Sequence, residues 1–312
     1  MSGEVKILIT GGAGYIGSEL VNYFIDDNEV VVLDNLMYDA TSLLRYATNP
    51  NFTFVKGDVR DRDLLGKLME GCDVIIPLAA LVGFPLCDRD PVAAVEINYT
   101  VNQWIAANKK KKQKVIYPCT NSGYGTSDDG TVRTEESPLN PITLYGRTKV
   151  NAEHAYKNAP NCVTFRLATV FGPSSRMRTD LLVNNFVLRA LRDRVLVLYE
   201  CEFMRNYVHV HDVCKAFKFV LDNWKNCVGE TFNVGNDGLN MHKLELAKTI
   251  KKHLPLEIIQ AEYTSDPDVR DYIVSSQKFY DKGFVCDYDL HTGIKQLITA
   301  YNIIEAPWYA NY

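Results

Sequence analysis

The chain has 312 residues, a formal net charge of −4 and 46% hydrophobic residues, a globular composition with room for one large domain or two unequal ones. Its one basic run, residues 109–112, is too local for a nucleic-acid face and reads as a solvated helix end, and no apolar stretch approaches the ~20 residues of a membrane span. Eight scattered cysteines, with no paired C-x-x-C spacing and no His cluster, indicate neither a zinc site nor a disulfide framework and fit free thiols in a cytoplasmic protein.

Lys6 opens the first predicted strand, VKILIT, so close to Met1 that no signal peptide is expected. A glycine-rich turn, GGAGYIG, follows, then an amphipathic helix, SELVNYFIDD, and a second buried strand, VVVLD, ending at Asp34. This β-turn-α-β unit has the size a dinucleotide site needs. Gly11 permits the tight turn, Gly14 lets the backbone approach a pyrophosphate, and Gly17 lets helix pack closely on strand. Tyr15 and Ile16, within the same turn, are assigned to the cofactor, and the N-terminal N–H groups of the helix that follows favour an anion. Asp34 is placed to accept hydrogen bonds from ribose hydroxyls and to repel a 2′-phosphate. Asn35, Leu36 and Met37 after it include no arginine, so the expected cofactor is NAD rather than NADP.

The alternation continues. FTFVKGDVRD gives a third strand ending near Asp58, and CDVIIPLAALVG a fourth, apolar on both faces. PVAAVEINYTVNQWIAANKK reads as one long helix with Pro91 in its first turn, and KVIYPCTNSGYG as a fifth strand breaking into a loop. The fold expected is α/β: a doubly wound parallel sheet of the Rossmann type, with ligands at the carboxyl ends of the strands. Residues 1–173 form the cofactor domain. Residues 174–312 form mainly a smaller α/β substrate lobe, with helices over 181–193, 239–254 and 290–304 and some segments returning to the main sheet.

The chemistry is placed at Thr120, Tyr145 and Lys149. Tyr145 and Lys149, in YGRTK, are four residues apart and share a helix face. A free tyrosine is too weak an acid to serve as a base at neutral pH, and a lysine ammonium close by favours its phenolate. Tyr145 can then take the proton from a sugar hydroxyl held by Thr120, and Lys149 can also hold the nicotinamide ribose. Y-x-x-x-K alone is close to noise; its position about 25 residues past a strand-end threonine gives it weight. In the second half, Arg176, Arg178, Arg205 and Arg270 fall in loops or at strand starts, where a guanidinium fork suits a diphosphate. His209 and His211 read as strand histidines held by hydrogen bonds, and no metal site is expected.

The motifs GGAGYIG, LDNL, GDVRD, PLAA, YGRTK, FRLATVFGP, RNYVHVHDV and FNVGN together resemble the extended short-chain dehydrogenase/reductase family, over nearly the whole chain. The resemblance implies an NAD-dependent enzyme acting on a nucleotide-diphosphate sugar. It places Asp58, with Val59 beside it, near the adenine amino group, and Leu78, Ala79 and Ala80 along the cofactor. It also assigns Tyr145 and Lys149 as the catalytic pair, sends Arg205 and Arg270 to the substrate diphosphate, and suggests a homodimer through the helices at 91–108 and 145–158. IIPLAALVG, NSGYG and CVTFRLATVFG with RMR are most similar to GDP-heptose 4-dehydrogenases of bacterial capsule biosynthesis. Where 4,6-dehydratases of the family carry an acid pair after the threonine, this chain has Asn121 and Ser122, read as substrate hydrogen-bonding groups. The expected activity is therefore 4-dehydrogenation or 4-epimerisation. A 4,6-dehydratase and a non-catalytic NAD sensor of the same fold are the alternatives, and the intact Thr120, Tyr145 and Lys149 argue against the sensor.

Overall fold

The computed structural model describes residues 5–126, 130–261, 271–304 and 310–311. In the first half, β1 (Lys6–Thr10), α1 (Tyr15–Phe24), β2 (Glu29–Asp34), β3 (Phe52–Lys56), α2 (Arg62–Glu70), β4 (Val74–Pro77), α3 (Phe84–Arg89) and α4 (Pro91–Val95) follow one another. A π-helical turn, Glu96–Thr100, leads into α5 (Val101–Asn108), and β5 (Lys114–Thr120), β6 (Val132–Arg133), α6 (Leu144–Lys157) and β7 (Cys162–Leu167) come next. The second half runs β8 (Thr169–Phe171), α7 (Leu182–Arg192), β9 (Val195–Leu198), β10 (Met204–His209), α8 (Val210–Asp222), α9 (Trp224–Cys227), β11 (Thr231–Val234), β12 (Asn236–His242), α10 (Lys243–Lys251), β13 (Glu257–Gln260), β14 (Ile273–Val274), α11 (Gln277–Tyr280) and α12 (Leu290–Ile303).

Seven strands form one parallel sheet in the order β11-β7-β5-β4-β1-β2-β3. Apart from the edge strand β3, its strands are buried on both faces, and their side chains alternate between two cores. Ile7, Ile9, Val30, Val32, Val74 and Ile76 join one face's cluster, and Leu8, Val31, Leu33 and Ile75 join the other's. The late strand β11 pairs with β7 at one edge of this sheet, so the chain returns to the cofactor domain after entering the second lobe. That lobe has its own core, in which Phe171, Val187, Leu246, Ile250 and Ile294 pack around the small β12-β10-β8 and β13-β9 sheets.

Some sequence expectations need correction. The third strand ends at Lys56, two residues short of Asp58 as expected, though as the sheet edge it leaves Thr53 and Phe54 exposed. The helix expected over 91–110 stops at Asn108 and is broken by the π turn, because buried Asn98 turns inward to grip the loop after β4. Its Oδ1 accepts from the Leu81 N–H at 2.9 Å and its Nδ2 donates to the Leu81 carbonyl at 2.9 Å. Lys109 is not solvated: it lies beyond α5, buried, with Nζ donating to the Gln113 carbonyl at 3.1 Å.

The cysteines are free thiols, six buried and two half-buried. His209 ends β10 with Nδ1 accepting from the His211 N–H at 3.2 Å and its ring stacked on Tyr288. Burial draws its pKa down to about 3, so it stays neutral. His211 lies not in the strand but in the first turn of α8. Among the described residues no group of His, Cys, Asp and Glu could hold a metal ion, and no helix is long and apolar enough to cross a membrane.

Candidate active site

A cleft of about 440 Å³ opens at the carboxyl ends of the parallel strands. Its first half is built by the turn after β1. Gly11 has φ +70°, and a Cβ there would sit 2.6 Å from the Ala79 backbone nitrogen. A Cβ on Gly17 would sit 2.6 Å from the Gly11 carbonyl oxygen. Strand, turn and helix therefore meet at distances that admit no side chain. Gly14 caps α1 without a side-chain hydrogen bond, and no acid lies in the helix's first turn. That combination suits a phosphate at the helix N-terminus, so the residues present fit a dinucleotide.

The same half of the cleft is lined by Tyr15, Ile16, Asp34, Asn35, Asp58, Val59, Leu78, Ala79 and Ala80. The Asp34 carboxylate is held at the end of β2 by the N–H groups of Ala13 at 3.0 Å and Leu36 at 2.8 Å. Asp58 is engaged by Arg60, whose Nη2 lies 2.7 Å from Oδ2, and this contact lowers the carboxyl's pKa.

In the other half, α6 begins behind the N-cap Thr143, whose hydroxyl accepts from the Gly146 N–H at 3.1 Å. The cap sets the first helical turn at the cleft, and Tyr145 and Lys149 both line it. Tyr145 is half-buried and Lys149 buried. The Lys149 Nζ lies 4.3 Å from the centroid of the Tyr117 ring, and burial pulls its pKa down to about 8. Thr120 ends β5 at the same wall. Its hydroxyl accepts from the Ser122 N–H at 3.2 Å and donates to Ser122 Oγ at 3.1 Å. This cap starts a 3-10 turn over Asn121–Tyr124, which brings Ser122 to the cleft but buries Asn121 behind it. Asn121 does not line the cleft, contrary to the expectation, and among the described residues neither amide atom has a hydrogen-bond partner.

Arg176, Arg178 and Arg205 also reach the cleft, whereas Arg270 lies outside the described residues. Arg178 is ion-paired with Asp180, a contact that offsets its charge. Arg205, on β10, donates from Nη1 to the Met204 carbonyl at 3.1 Å. Lys243 and Tyr272 are further lining residues that the sequence did not single out. Lys243 heads an ordinary amphipathic helix and carries no motif, and Tyr38 and Asp180 likewise come to the cleft only through the fold.

The model of the NAD dependent epimerase/dehydratase family matches residues 7–235. The low-salt glycan biosynthesis protein Agl12 of Haloferax volcanii is 30% identical over 312 residues, covering 95% of this chain and 98% of its own. A putative UDP-glucose 4-epimerase of Methanocaldococcus jannaschii is 28% identical, covering 94% and 97%. Among solved structures, DesIV, a dTDP-glucose 4,6-dehydratase from Streptomyces venezuelae with NAD bound, superposes with a TM-score of 0.83 at 25% identity, covering 96% and 97%. The UDP-glucuronic acid 4-epimerase of Bacillus cereus shares the fold, with a TM-score of 0.83 at 24% identity over 96% and 100%.

Proposed function

The chain belongs to the NAD-dependent epimerase/dehydratase family, and from that premise we propose that it oxidises the C4 hydroxyl of a nucleotide-diphosphate sugar, as a 4-dehydrogenase or 4-epimerase. The observation that carries this reading is the meeting of Thr120, Ser122, Tyr145 and Lys149 in the cleft that the glycine turn opens into. NAD, when bound, supplies the hydride acceptor. Tyr145 takes the hydroxyl proton, Thr120 holds that hydroxyl, and the Lys149 ammonium stabilises the phenolate side of the exchange. Gly11, Gly14, Tyr15, Ile16 and Gly17 would hold the diphosphate of the cofactor. Asp34 and Asn35 would take its ribose, and Asp58, Val59, Leu78, Ala79 and Ala80 would line the rest.

Arg205 and Arg270 grip the substrate's diphosphate, and Lys243 is a further cation lining the cleft. With Asn and Ser where the dehydratases carry acids, the sugar keeps its oxygens. The resemblance of IIPLAALVG, NSGYG and RMR favours a GDP-linked hexose or heptose. The helices spanning 91–108 and 144–157, where Val92 and Val95 are exposed, are the proposed homodimer face.

The deciding experiment incubates the protein and NAD with UDP-, GDP-, CDP- and dTDP-sugars and identifies the products by mass and NMR. A 4-ketone or a C4 epimer from a GDP-sugar is the expected result. A panel in which no sugar is oxidised would overturn the reading.

A further inference from the structure

The segment 172–180 is stitched to α1, the helix that starts the dinucleotide turn. The Tyr15 hydroxyl donates to the Gly172 carbonyl at 2.7 Å, and Ser174 Oγ donates to the Tyr15 carbonyl at 2.7 Å and lies 3.1 Å from Ser18 Oγ. Ser175 donates twice to Glu19 Oε1, from its N–H at 2.7 Å and its hydroxyl at 2.9 Å. These bonds join residues more than 150 apart in sequence and fix the segment over the cofactor half of the cleft.

Arg176 is the residue this strap delivers. It is 4% exposed and lines the cleft, with its guanidinium carbon 4.7 Å above the Tyr38 ring and Nη1 donating to the Met177 carbonyl at 2.9 Å. Tyr38 lies four residues past Asp34, on the loop that follows β2, and the Asp34 carboxylate acts on the Arg176 charge. Burial disfavours that charge most, Arg178 adds to this, and Asp180 and Tyr38 oppose it, so an anion placed there would be stabilised. Arg178, the next arginine of the strap, is ion-paired with Asp180. The anion that belongs beside the start of α1 is the diphosphate of NAD, because the helix N-terminus and its acid-free first turn point to it.

We propose that Arg176 is a cofactor ligand, which donates from its guanidinium to the NAD diphosphate beside the N-terminus of α1. Its expected place on the substrate side is thereby reassigned. The inference rests on NAD occupying this cleft, and not on the identity of the sugar. A dinucleotide would be held by backbone N–H groups from the glycine turn and by an arginine from the segment between β8 and α7. Opening the cleft to exchange cofactor would then require the strap to release it.

The test measures binding in Arg176→Met, which keeps the apolar stem over Tyr38, and in Arg176→Lys, which keeps the charge. NADH, ADP-ribose and adenosine are titrated by fluorescence or calorimetry, and GDP and UDP are titrated into NADH-loaded protein. Losing a charge-assisted hydrogen bond should weaken NADH and ADP-ribose at least about tenfold in Arg176→Met, while adenosine, GDP and UDP stay within about twofold. Arg176→Lys should recover part of the loss and carries the comparison if the Met variant does not fold. A tenfold loss for GDP or UDP with NADH unchanged would return Arg176 to the substrate side. Adenosine weakened as much as ADP-ribose would show a nucleoside contact instead, and either result overturns the proposal. A sugar panel in which nothing is oxidised would leave these titrations unaffected, so the two readings fail separately.

Discussion

Lys149 holds its ammonium 4.3 Å from the centroid of the Tyr117 ring, in a wall where the lysine is buried. The ring face offsets part of the desolvation, yet burial still pulls the lysine's pKa down to about 8. An unfolded chain has the ordinary value of about 10.4. Below pH 8 both states hold the proton, and the folded state bears the cost of a buried charge. Between about pH 8 and 10.4 the unfolded state binds more protons, so this group's contribution to stability rises with pH. The cofactor-free Lys149→Met variant should therefore melt above the parent at pH 7, with the difference shrinking as pH approaches 10. Parallel thermal scans across that range check this, and a pH-independent difference would refute it.

Tyr145→Phe removes the proposed proton acceptor and little else. Turnover with the accepted sugar nucleotide should fall by several orders of magnitude, while NADH affinity stays within about threefold of the parent. Single-turnover rates and an NADH titration separate the two effects. Turnover near the parent's would mean that another group takes the proton.

The Arg166 and Glu153 pair lies beneath the site, with Nη2 to Oε1 at 2.7 Å and side chains 3% and 0% exposed. Arg166 also donates to the Tyr124 hydroxyl at 2.9 Å and the Glu135 carbonyl at 3.0 Å. Removing one partner leaves a buried charge uncompensated, so Arg166→Met should destabilise the protein by about 3–5 kcal/mol. Urea unfolding measures this. A change below 1 kcal/mol would show that the region relaxes around the loss.

Arg205 is the described member of the proposed substrate clamp, and Lys243 lines the same cleft. Arg205→Ala should raise KM by an amount equivalent to about 1.5–3 kcal/mol, the value of a charged hydrogen bond, with a smaller change in kcat. Lys243→Ala should follow it to a lesser degree, because an ammonium lacks the guanidinium fork. An unchanged KM would remove the altered residue from the clamp.

What could be read from the sequence was local. Both-face burial makes β1, β2 and β4 continuous apolar runs, so the parallel sheet followed from composition and alternation. The positions lining the dinucleotide half, and the shared face of Tyr145 and Lys149, follow from spacing within one turn or one strand end. Features made by distant contacts escaped. The break in the helix over 91–108 depends on Asn98 reaching Leu81, and the place of Arg176 depends on bonds from Ser174 and Ser175 to α1. The inward turn of Asn121 escaped for another reason: a neighbour's cap, Thr120 to Ser122, decides it.

That inward turn bears on the reaction. Dehydration after oxidation at C4 needs one group to remove the C5 proton and another to protonate the leaving C6 hydroxyl, both exchanging protons near neutral pH. In dehydratases of this family the two residues after the threonine are acids. Here they are Asn121 and Ser122, an amide and a hydroxyl that cannot perform either transfer, and Asn121 is 1% exposed and lies outside the cleft. Ser122 is tied to Thr120 by two hydrogen bonds, an arrangement suited to orienting a hydroxyl rather than expelling one. Asp180 also lines the cleft, but its carboxylate is committed to Arg178. The product should therefore keep all the oxygens of the substrate: a mass lower by two hydrogens for the ketone, or unchanged for the epimer. Ser122→Glu alone should not create a dehydratase, since the partner position stays buried behind the wall. Mass spectrometry of the sugar nucleotide after incubation checks both statements, and a parent-enzyme product lighter by one water would show that an acid from elsewhere completes the site.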